Sequence, residues 1–453
     1  MLSKKTIRYY YWLLLEFLKK HLRVVLMSMI GSFIMVVSFI SFSPYIQTHV
    51  LSKKEAIGII GKYDLNTLPE EITQKISNGL LFINNKGDLS PALAASWEST
   101  NQGKEYRFHM RDGLMWGNGK PFKSSDINYQ FKDVERKIID DKTIHFILKK
   151  PLPIFPTYLN KPLIRPPLVG VAGIYKVAKI VNKFDYVSEI SLTPNKKDLQ
   201  PITYKFYTNE QAMINAYKLG EINRMVIGKK SVADVFRKWN NTIVTQEIDY
   251  NKLMTLFFNF KNKLMSEKEV RQAIYMSIDP SIFNELGSPA LGPVSPASWA
   301  FNPNNKPQIF DRDGAEKILN KSLSASDSAN LKFYTFYDYL NEASAITQAL
   351  KDVGMNVKLE LLSTERPESF DILLAYWNIP IDPDQYFFWH STQTQGNLGG
   401  YKNVKVDKLL EDGRGTQSTE ERKRIYFDFQ KIVADDPPAL FLYFPYVYTI
   451  KRK

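Results

Sequence analysis

Apolar and polar positions change rhythm sharply along this chain. Val24 to Ser43, "VVLMSMIGSFIMVVSFISFS", is an uncharged run of 20 residues. A helix of that length spans about 30 Å, the thickness of a bilayer's hydrocarbon core. Before it, Ile7 to Leu18 ("IRYYYWLLLEFL") is aromatic and apolar but interrupted by Glu16 and too short to cross. That segment suits a helix lying at headgroup depth, and suits equally one packed on a membrane partner.

After the apolar run the pattern becomes that of a globular α/β chain. Ala56–Ile60 reads as a strand closed by Gly61, and "LPEEITQKISNGLLFI" as a helix with Ile72, Ile76 and Leu80 on one face. "NNKGDLSPALAASWES" reads as a turn and a short helix, and "KEYRFHM" as a strand alternating at Tyr106, Phe108 and Met110. Asn118-Gly119 marks a tight turn, and "KTIHFIL" is a strand ended by Pro151 and Pro153. The proline-rich stretch 151–167 marks a lobe boundary. From Ile202 the order strand ("ITYKFY"), helix ("NEQAMINAYKLGE"), strand ("MVIG") implies a parallel sheet. "LMTLFFNF" is a buried strand. In the helix after it, Ser266 and Glu269 form a capping box and Val270, Ala273, Ile274 and Ile278 an apolar face. Strand "LKFYTFY", helix "NEASAITQALKDVG", strands "NVKLELL" and "FDILLAYW" follow. The chain finishes with a short helix at 406–411 and a second one capped by Ser418 and Glu421. Ile425, Phe429, Ile432 and Val433 form its stripe. The "DDPP" at 435–438 ends it, and the strand "ALFLYFPY" returns to a sheet begun earlier.

Charge refines the topology. Lys4, Lys5, Arg8, Lys19, Lys20 and Arg23 precede the apolar run, and no Lys or Arg follows until Lys53. The positive-inside rule then puts the N-terminus in the cytoplasm and the bulk outside. An uncleaved anchor is preferred to a signal peptide, whose apolar core is shorter. The only small-x-small site, Ser41-Phe42-Ser43, is followed by Pro44. The net charge is +13, of which +5 lies in residues 1–23; the remainder is dispersed rather than gathered on one face. No nucleic-acid partner is expected. With no cysteine, disulfides, thiolate metal sites, a catalytic Cys and a lipid-bearing Cys are all excluded. The helix would then be the tether.

Catalytic signals are lacking. His21, His49, His109, His145 and His390 show no metal-ligand spacing, and His109 and His145 read as exposed strand positions. There is no GxSxG or HExxH, and "GNGKP" lacks the Walker spacing, so a hairpin turn is favoured there. No enzymatic activity, cofactor or metal is expected.

Seven stretches in order resemble the extracellular solute-binding proteins of peptide/nickel-type ABC importers, family 5. They are "GLLFINNKGDLSPALAASWE", "YRFHMRDGLMWGNGKPFKSSDINYQF", "NAYKLGEIN", "FFNFKNKLMSEKEVRQAIYMSIDPSIF", "DRDGAEKILN", "FDILLAYWNIPIDPDQYFFWHS" and the segment Gly399–Tyr446. The resemblance implies an α/β, two-lobed, periplasmic-binding-protein-like fold (type II, cluster C) with an extra subdomain, here preceded by one transmembrane helix. It also implies a monomer that captures a peptide or other small solute between hinged lobes and docks on an ABC permease. The expected organisation is a cytoplasmic segment at 1–23 and an anchor at 24–45. The first lobe spans 46–260 with its subdomain at about 76–170, the second 261–436, and a return strand 437–453. Peptide-binding relatives carry an amine-pairing acid shortly after the strand's Trp; here Asn378, Ile379 and Pro380 stand there. The short stretch between Phe131 and Lys142 suggests a trimmed subdomain.

Ligand contact is therefore expected from the loop after "FDILLAYW": Tyr376, Trp377, Asn378, Asp382 and Asp384, with Tyr63 and Asp64 as weaker choices. Strand ends and aromatic platforms are where α/β sheets hold ligands. The alternative is that Trp377 is lobe core and Asp382-Pro383 merely opens a turn. A second functional reading is a scaffold of the envelope with the same fold and a closed cleft.

Overall fold

The computed structural model describes residues 4–49, 54–84, 88–322, 331–363, 367, 369–380 and 382–453. The chain divides into two units, 1–55 and 56–453. In the first, α1 (Lys4–His49) is two helical stretches joined at His21, where the backbone leaves helical geometry (φ −114°, ψ 19°). The break falls between the two segments that the hydropathy pattern separates. Arg8–Ser38 is long and apolar enough to cross a membrane.

The second unit opens on β1 (Glu55–Ile60) and α2 (Glu70–Ile76). The helix stops at Ile76, before Leu80, which the pattern placed on its apolar face. Ser77 is buried and extended, and a Cβ on Gly79 would meet the Leu159 carbonyl oxygen at 2.5 Å. Leu80 therefore packs in a different core from Ile72 and Ile76. The chain continues as β2 (Leu81–Ile83) and β3 (Leu89–Pro91). The turn expected at "NNKG" falls partly on 85–87, outside the described residues. The short helix expected next is instead β4 (Ala94–Thr100), paired with β5 (Glu105–Met110). Alanine's helix preference loses there to cross-strand packing, with Trp97 opposite Phe108 and their rings 6.4 Å apart. With β6 (Val134–Asp140) and β7 (Thr143–Leu148) these strands form a four-stranded sheet, the body of the subdomain. His145 is not an exposed residue of that sheet: its Nε2 lies 3.3 Å from Glu105 and its side chain is 13% exposed. A 3-10 turn (Phe155–Asn160) and the pair β8 (Ile164–Arg165) and β9 (Val169–Gly170) lead out.

The first lobe's sheet is completed by β10 (Tyr175–Lys183), β11 (Tyr186–Pro194), β12 (Ile202–Tyr207), β13 (Arg224–Ile227) and β14 (Thr242–Ile248). Helices α3 (Glu210–Leu219) and α4 (Lys230–Arg237) cover one face. A second sheet starts from β15 (Lys252–Phe258), buried along nearly its whole length. There follow α5 (Lys263–Ser266), α6 (Lys268–Ser277), β16 (Gly287–Pro289), α7 (Arg312–Ser322), β17 (Leu331–Phe336), α8 (Leu340–Asp352), β18 (Val357–Leu362) and β19 (Ile372–Asn378). The predicted Ser266–Glu269 capping box does not form. Ser266 donates to the Lys263 carbonyl oxygen at 2.6 Å, closing the short α5, and Glu267 takes the cap position of α6. The apolar face of α6 is as predicted, with Val270, Ala273, Ile274 and Ile278 fully buried.

Helices α9 (Tyr386–Trp389), α10 (Val404–Gly415) and α11 (Thr419–Asp435) cover the other face of the second sheet. The stripe of α11 is shifted from prediction: Arg422, Tyr426, Phe429, Gln430 and Val433 are buried, while Ile425 and Ile432 are half-buried. The sheets are mixed rather than parallel. β1–β13, β17–β18 and β17–β19 run parallel, whereas β15–β19 is antiparallel. The last strand, β20 (Ala439–Arg452), does not simply return to the first lobe. Residues 439–443 pair with β15, and 446–452 pair with β14. The partner changes around Phe444-Pro445, so one strand is shared by both lobes.

Candidate ligand site between the lobes

Three of the expected ligand residues sit on β19, where alternation sends neighbours to opposite faces. Tyr376 faces the α6–α8 side and meets the rings of Tyr339 at 5.0 Å and Tyr443 at 6.4 Å. Burial pushes its hydroxyl pKa well up. Trp377 faces the α9–α11 side and is lobe core, 5% exposed among Phe388, Trp389 and Phe441. Its indole N–H has no hydrogen-bond partner among the described residues. Asn378 ends the strand, exposed.

Asp382 and Asp384 open the turn into α9, and the chain's own arginines hold both. Arg422 of α11 grips Asp382 with two donors, at 2.7 and 3.3 Å, and gives its Nε–H to the Gly413 carbonyl at 3.0 Å. Its guanidinium stands 5.2 Å from the Trp299 ring. Arg414 of α10 donates its Nε–H to Asp384 at 2.9 Å and another N–H to the Tyr158 hydroxyl at 3.0 Å. Tyr158 in turn reaches Asp384 at 3.4 Å. Tyr158 lies on the subdomain's 3-10 turn, so this triangle joins the subdomain to the second lobe. Burial raises the Asp384 carboxyl above the usual range more than the Arg414 charge lowers it. Burial, aided by the Asp384 charge, pushes Tyr158 up to about 12.

Beside these pairs lies a cavity of about 390 Å³ between the subdomain and the second lobe. Asp88, Trp97 and Ser99 line one wall; Trp299, Gln417 and the Asp382–Arg422 pair line the other. Two indoles with a few amide, hydroxyl and charged groups are the mixture small-molecule pockets use. A larger cavity of about 1040 Å³ sits at the opposite end of the second lobe, around Arg271, Tyr401 and Asp436. These polar groups bond to one another: Arg271 to Asp436, and Tyr401 to Asp436 at 3.2 Å. That cavity is backed by a self-satisfied structural network and lies away from the strand ends that face the first lobe.

Tyr63 and Asp64 are not brought to either loop aspartate. Tyr63 packs 5.4 Å from Phe206 and donates to the Ile60 carbonyl at 3.1 Å. Asp64 accepts from the backbone N–H of Asn66 at 2.7 Å and of Thr67 at 2.9 Å. It is an exposed turn residue, and these bonds hold its carboxyl below the usual range. Sequence reasoning passed over Tyr158, Trp299, Arg414 and Arg422. Arg422 carries a readable signal: a charged residue one turn before Tyr426 on a buried stripe needs a buried partner. Among the described residues, no group of three or more His, Cys, Asp or Glu is arranged to hold a metal.

Residues 88–399 match the family model described as bacterial extracellular solute-binding proteins, family 5 middle. The chain belongs to this family. Within family 5 it is similar to a probable deoxycholate-binding periplasmic protein, YgiS, of Escherichia coli, 23% identical over 84% of this chain and 85% of that one. The oligopeptide-binding protein OppA of Salmonella typhimurium is 22% identical, covering 88% and 87%. Among solved structures, NikZ of Campylobacter jejuni with Ni(L-His) superposes with a TM-score of 0.74 at 21% identity, covering 88% and 94%. AppA of Bacillus subtilis with a nonapeptide gives 0.72 at 20%, with the same coverage. The two-lobed α/β fold expected from the sequence is the fold of these structures.

Proposed function

We propose that this family 5 protein is the solute-capturing component of an ABC importer, held at the outer face of the membrane by α1. A peptide or similar small solute enters between the lobes, and the closed form delivers it to a permease. One observation carries the reading: the aromatic and polar cavity between subdomain and second lobe, lined by the Asp382–Arg422 pair, with the Tyr158–Asp384–Arg414 triangle joining the same two parts. Contacts made across that gap exist only when the halves meet, and such contacts drive a hinged population shift. The names of relatives span oligopeptides, a nickel–histidine complex and deoxycholate. That breadth supports a shared mechanism of capture and leaves ligand chemistry to each chain's own side chains. The uncharged stretch of α1 with basic residues on its N-terminal side supports an uncleaved anchor with the bulk outside.

The scaffold reading has one observation in its favour: both loop aspartates are already neutralised by Arg422 and Arg414. One experiment separates the two. The chain from residue 54 on is purified, small molecules released on denaturation are identified by mass spectrometry, and thermal shifts are measured against peptides, bile acids and metal–histidine chelates. Solute at 100 times its Kd adds about 2.7 kcal/mol to stability, and a shift of that order is expected for one class. No co-purified solute and a flat response across all three classes overturns capture in favour of the scaffold. Membrane extraction of the full chain, with N-terminal sequencing, tests the anchor: an intact terminus found with the membrane is expected.

A further inference from the structure

We infer that Tyr386 and His390 are positioning residues for the contact between the subdomain and the second lobe, and that charging His390 loosens that contact. The groups that make it are Tyr158, Asp384 and Arg414. Tyr386, the first residue of α9, holds two of them. Its backbone N–H donates to Asp384 at 3.2 Å, and the Arg414 guanidinium stands 4.2 Å from its ring centre. One turn on, at the C-cap of α9, the His390 ring stacks on the same tyrosine, with 4.0 Å between centres and 22° between planes. Two groups this close to one ring centre take its opposite faces. The tyrosine is thus clamped between imidazole and guanidinium, and a change in one is felt by the other.

The spacing on α10 explains why these groups meet. Asp407, Glu411 and Arg414 recur at i, i+4 and i+7, which is one face of a helix. That face lies against α9: Glu411 is 3.3 Å and Asp407 4.0 Å from His390 Nε2, while Arg414 covers Tyr386. Lys408 of the same helix is taken by Asp412 at 2.7 Å. On the other side of the imidazole, the Thr392 backbone N–H lies 3.2 Å from Nδ1 and the Thr392 hydroxyl 2.8 Å. A backbone N–H only donates, so the neutral ring keeps its proton on Nε2, towards Glu411. Imidazole is the side chain whose charge changes between pH 5 and 8. The second proton goes to Nδ1, ends the bond from the Thr392 N–H, and leaves a cation whose nearest acids are Glu411 and Asp407. Because His390 is buried, solvent screens that charge poorly. Tyr386 then has a cation on each face, and two charges that repel each other share one ring's π density. The hold of the ring on Arg414 weakens. Asp384 is the other group at the contact that loses charge as pH falls, since burial raises its carboxyl above the usual range. This deepens the proposed function and rests on its hinged lobes: acid favours the open form and release of solute.

The chain has no cysteine, so Lys137→Cys on β6 and Arg424→Cys on α11 place one fluorophore pair across the contact in the full chain in detergent. Energy transfer is followed from pH 8 to 5 without solute. The open-to-closed ratio is expected to rise about 5-fold, the weight of one cation–ring contact. His390→Gln and His390→Phe, which cannot take the charge, should abolish the rise. Tyr386→Leu should open the contact at every pH, and Tyr386→Phe, which keeps the ring, should behave as the parent chain. His145→Gln, in the subdomain sheet, is the control and should leave the rise intact. Melting curves at pH 8 report which variants are folded. An absent rise, a rise that persists in both His390 variants and so belongs to Asp384, or one lost equally in His145→Gln overturns the inference. If added peptides, bile acids or metal–histidine chelates still change the transfer in that event, the hinged capture stands and only the role of His390 falls. If transfer is constant at every pH and with every solute, both fall.

Discussion

Two sets of carboxylates stand on opposite faces of the second lobe's sheet, and they have been treated differently. On the α9–α11 side, Asp382 and Asp384 are each met by an arginine from a neighbouring helix, and their charges are spent inside the protein. On the α6–α8 side, Glu342, in the first turn of α8, is half-buried, and burial raises its carboxyl above the usual range. The first arrangement is what a folded chain needs in order to bury charge. In the second, burial favours the protonated acid instead of a paired carboxylate. An acid's presence in a loop says little about binding; whether the chain has already answered its charge says more.

The contrast breaks first at Arg422. Replacing it with Ala leaves Asp382 buried without its partner, and a loss of about 3–5 kcal/mol is expected in urea unfolding. A loss under about 1 kcal/mol would mean that Asp382 is open to solvent and does not depend on Arg422. Tyr158→Phe probes the triangle across the lobes. It removes a hydroxyl bonded to charged Arg414 and Asp384, so about 1.5 kcal/mol of closed-state stability should go. Small-angle scattering would register the shift as a larger radius of gyration without ligand.

The smallest effect sharpens the other side. Glu342→Gln should change ligand-free stability by less than about 1 kcal/mol at neutral pH, because no ion pair is broken. Its sign depends on pH. Burial raises the carboxyl's pKa, outweighing the Tyr443 hydrogen bond that lowers it, so the protonated form is favoured in the folded state. That stabilisation is complete below the unfolded pKa and disappears as pH rises through the folded one. Wild-type melting temperatures should therefore gain on those of the variant as pH falls from 7 towards 4. A fall relative to the variant would mean that the carboxylate is held by a cation after all.

Much of the architecture was legible because period and propensity agreed. The α6 face and the strands at 252–258, 331–336 and 372–378 were read from buried apolar positions alone. Reading failed where a tertiary partner outvoted local preference. "ALAASWES" has helical composition, yet Trp97 finds Phe108 across a strand pair. Ser266 has an acid three residues on, yet its hydroxyl turns back to close α5. At the site, Tyr376 and Trp377 were expected together, but a two-residue period necessarily parts them. Tyr158 and Arg414 are 256 residues apart and meet only through the fold, so no local pattern could have paired them.

The strand that belongs to both sheets also sets the mechanics. Were the lobes to hinge as proposed, β20, continuous through Phe444-Pro445 and paired on both sides of that point, would rule out sliding and leave bending about the crossing, like a lever about its fulcrum. Groups beside such a fulcrum, Tyr443 among them, would travel least, and the contacts of Tyr158 with Asp384 and Arg414 would be the ones made or lost.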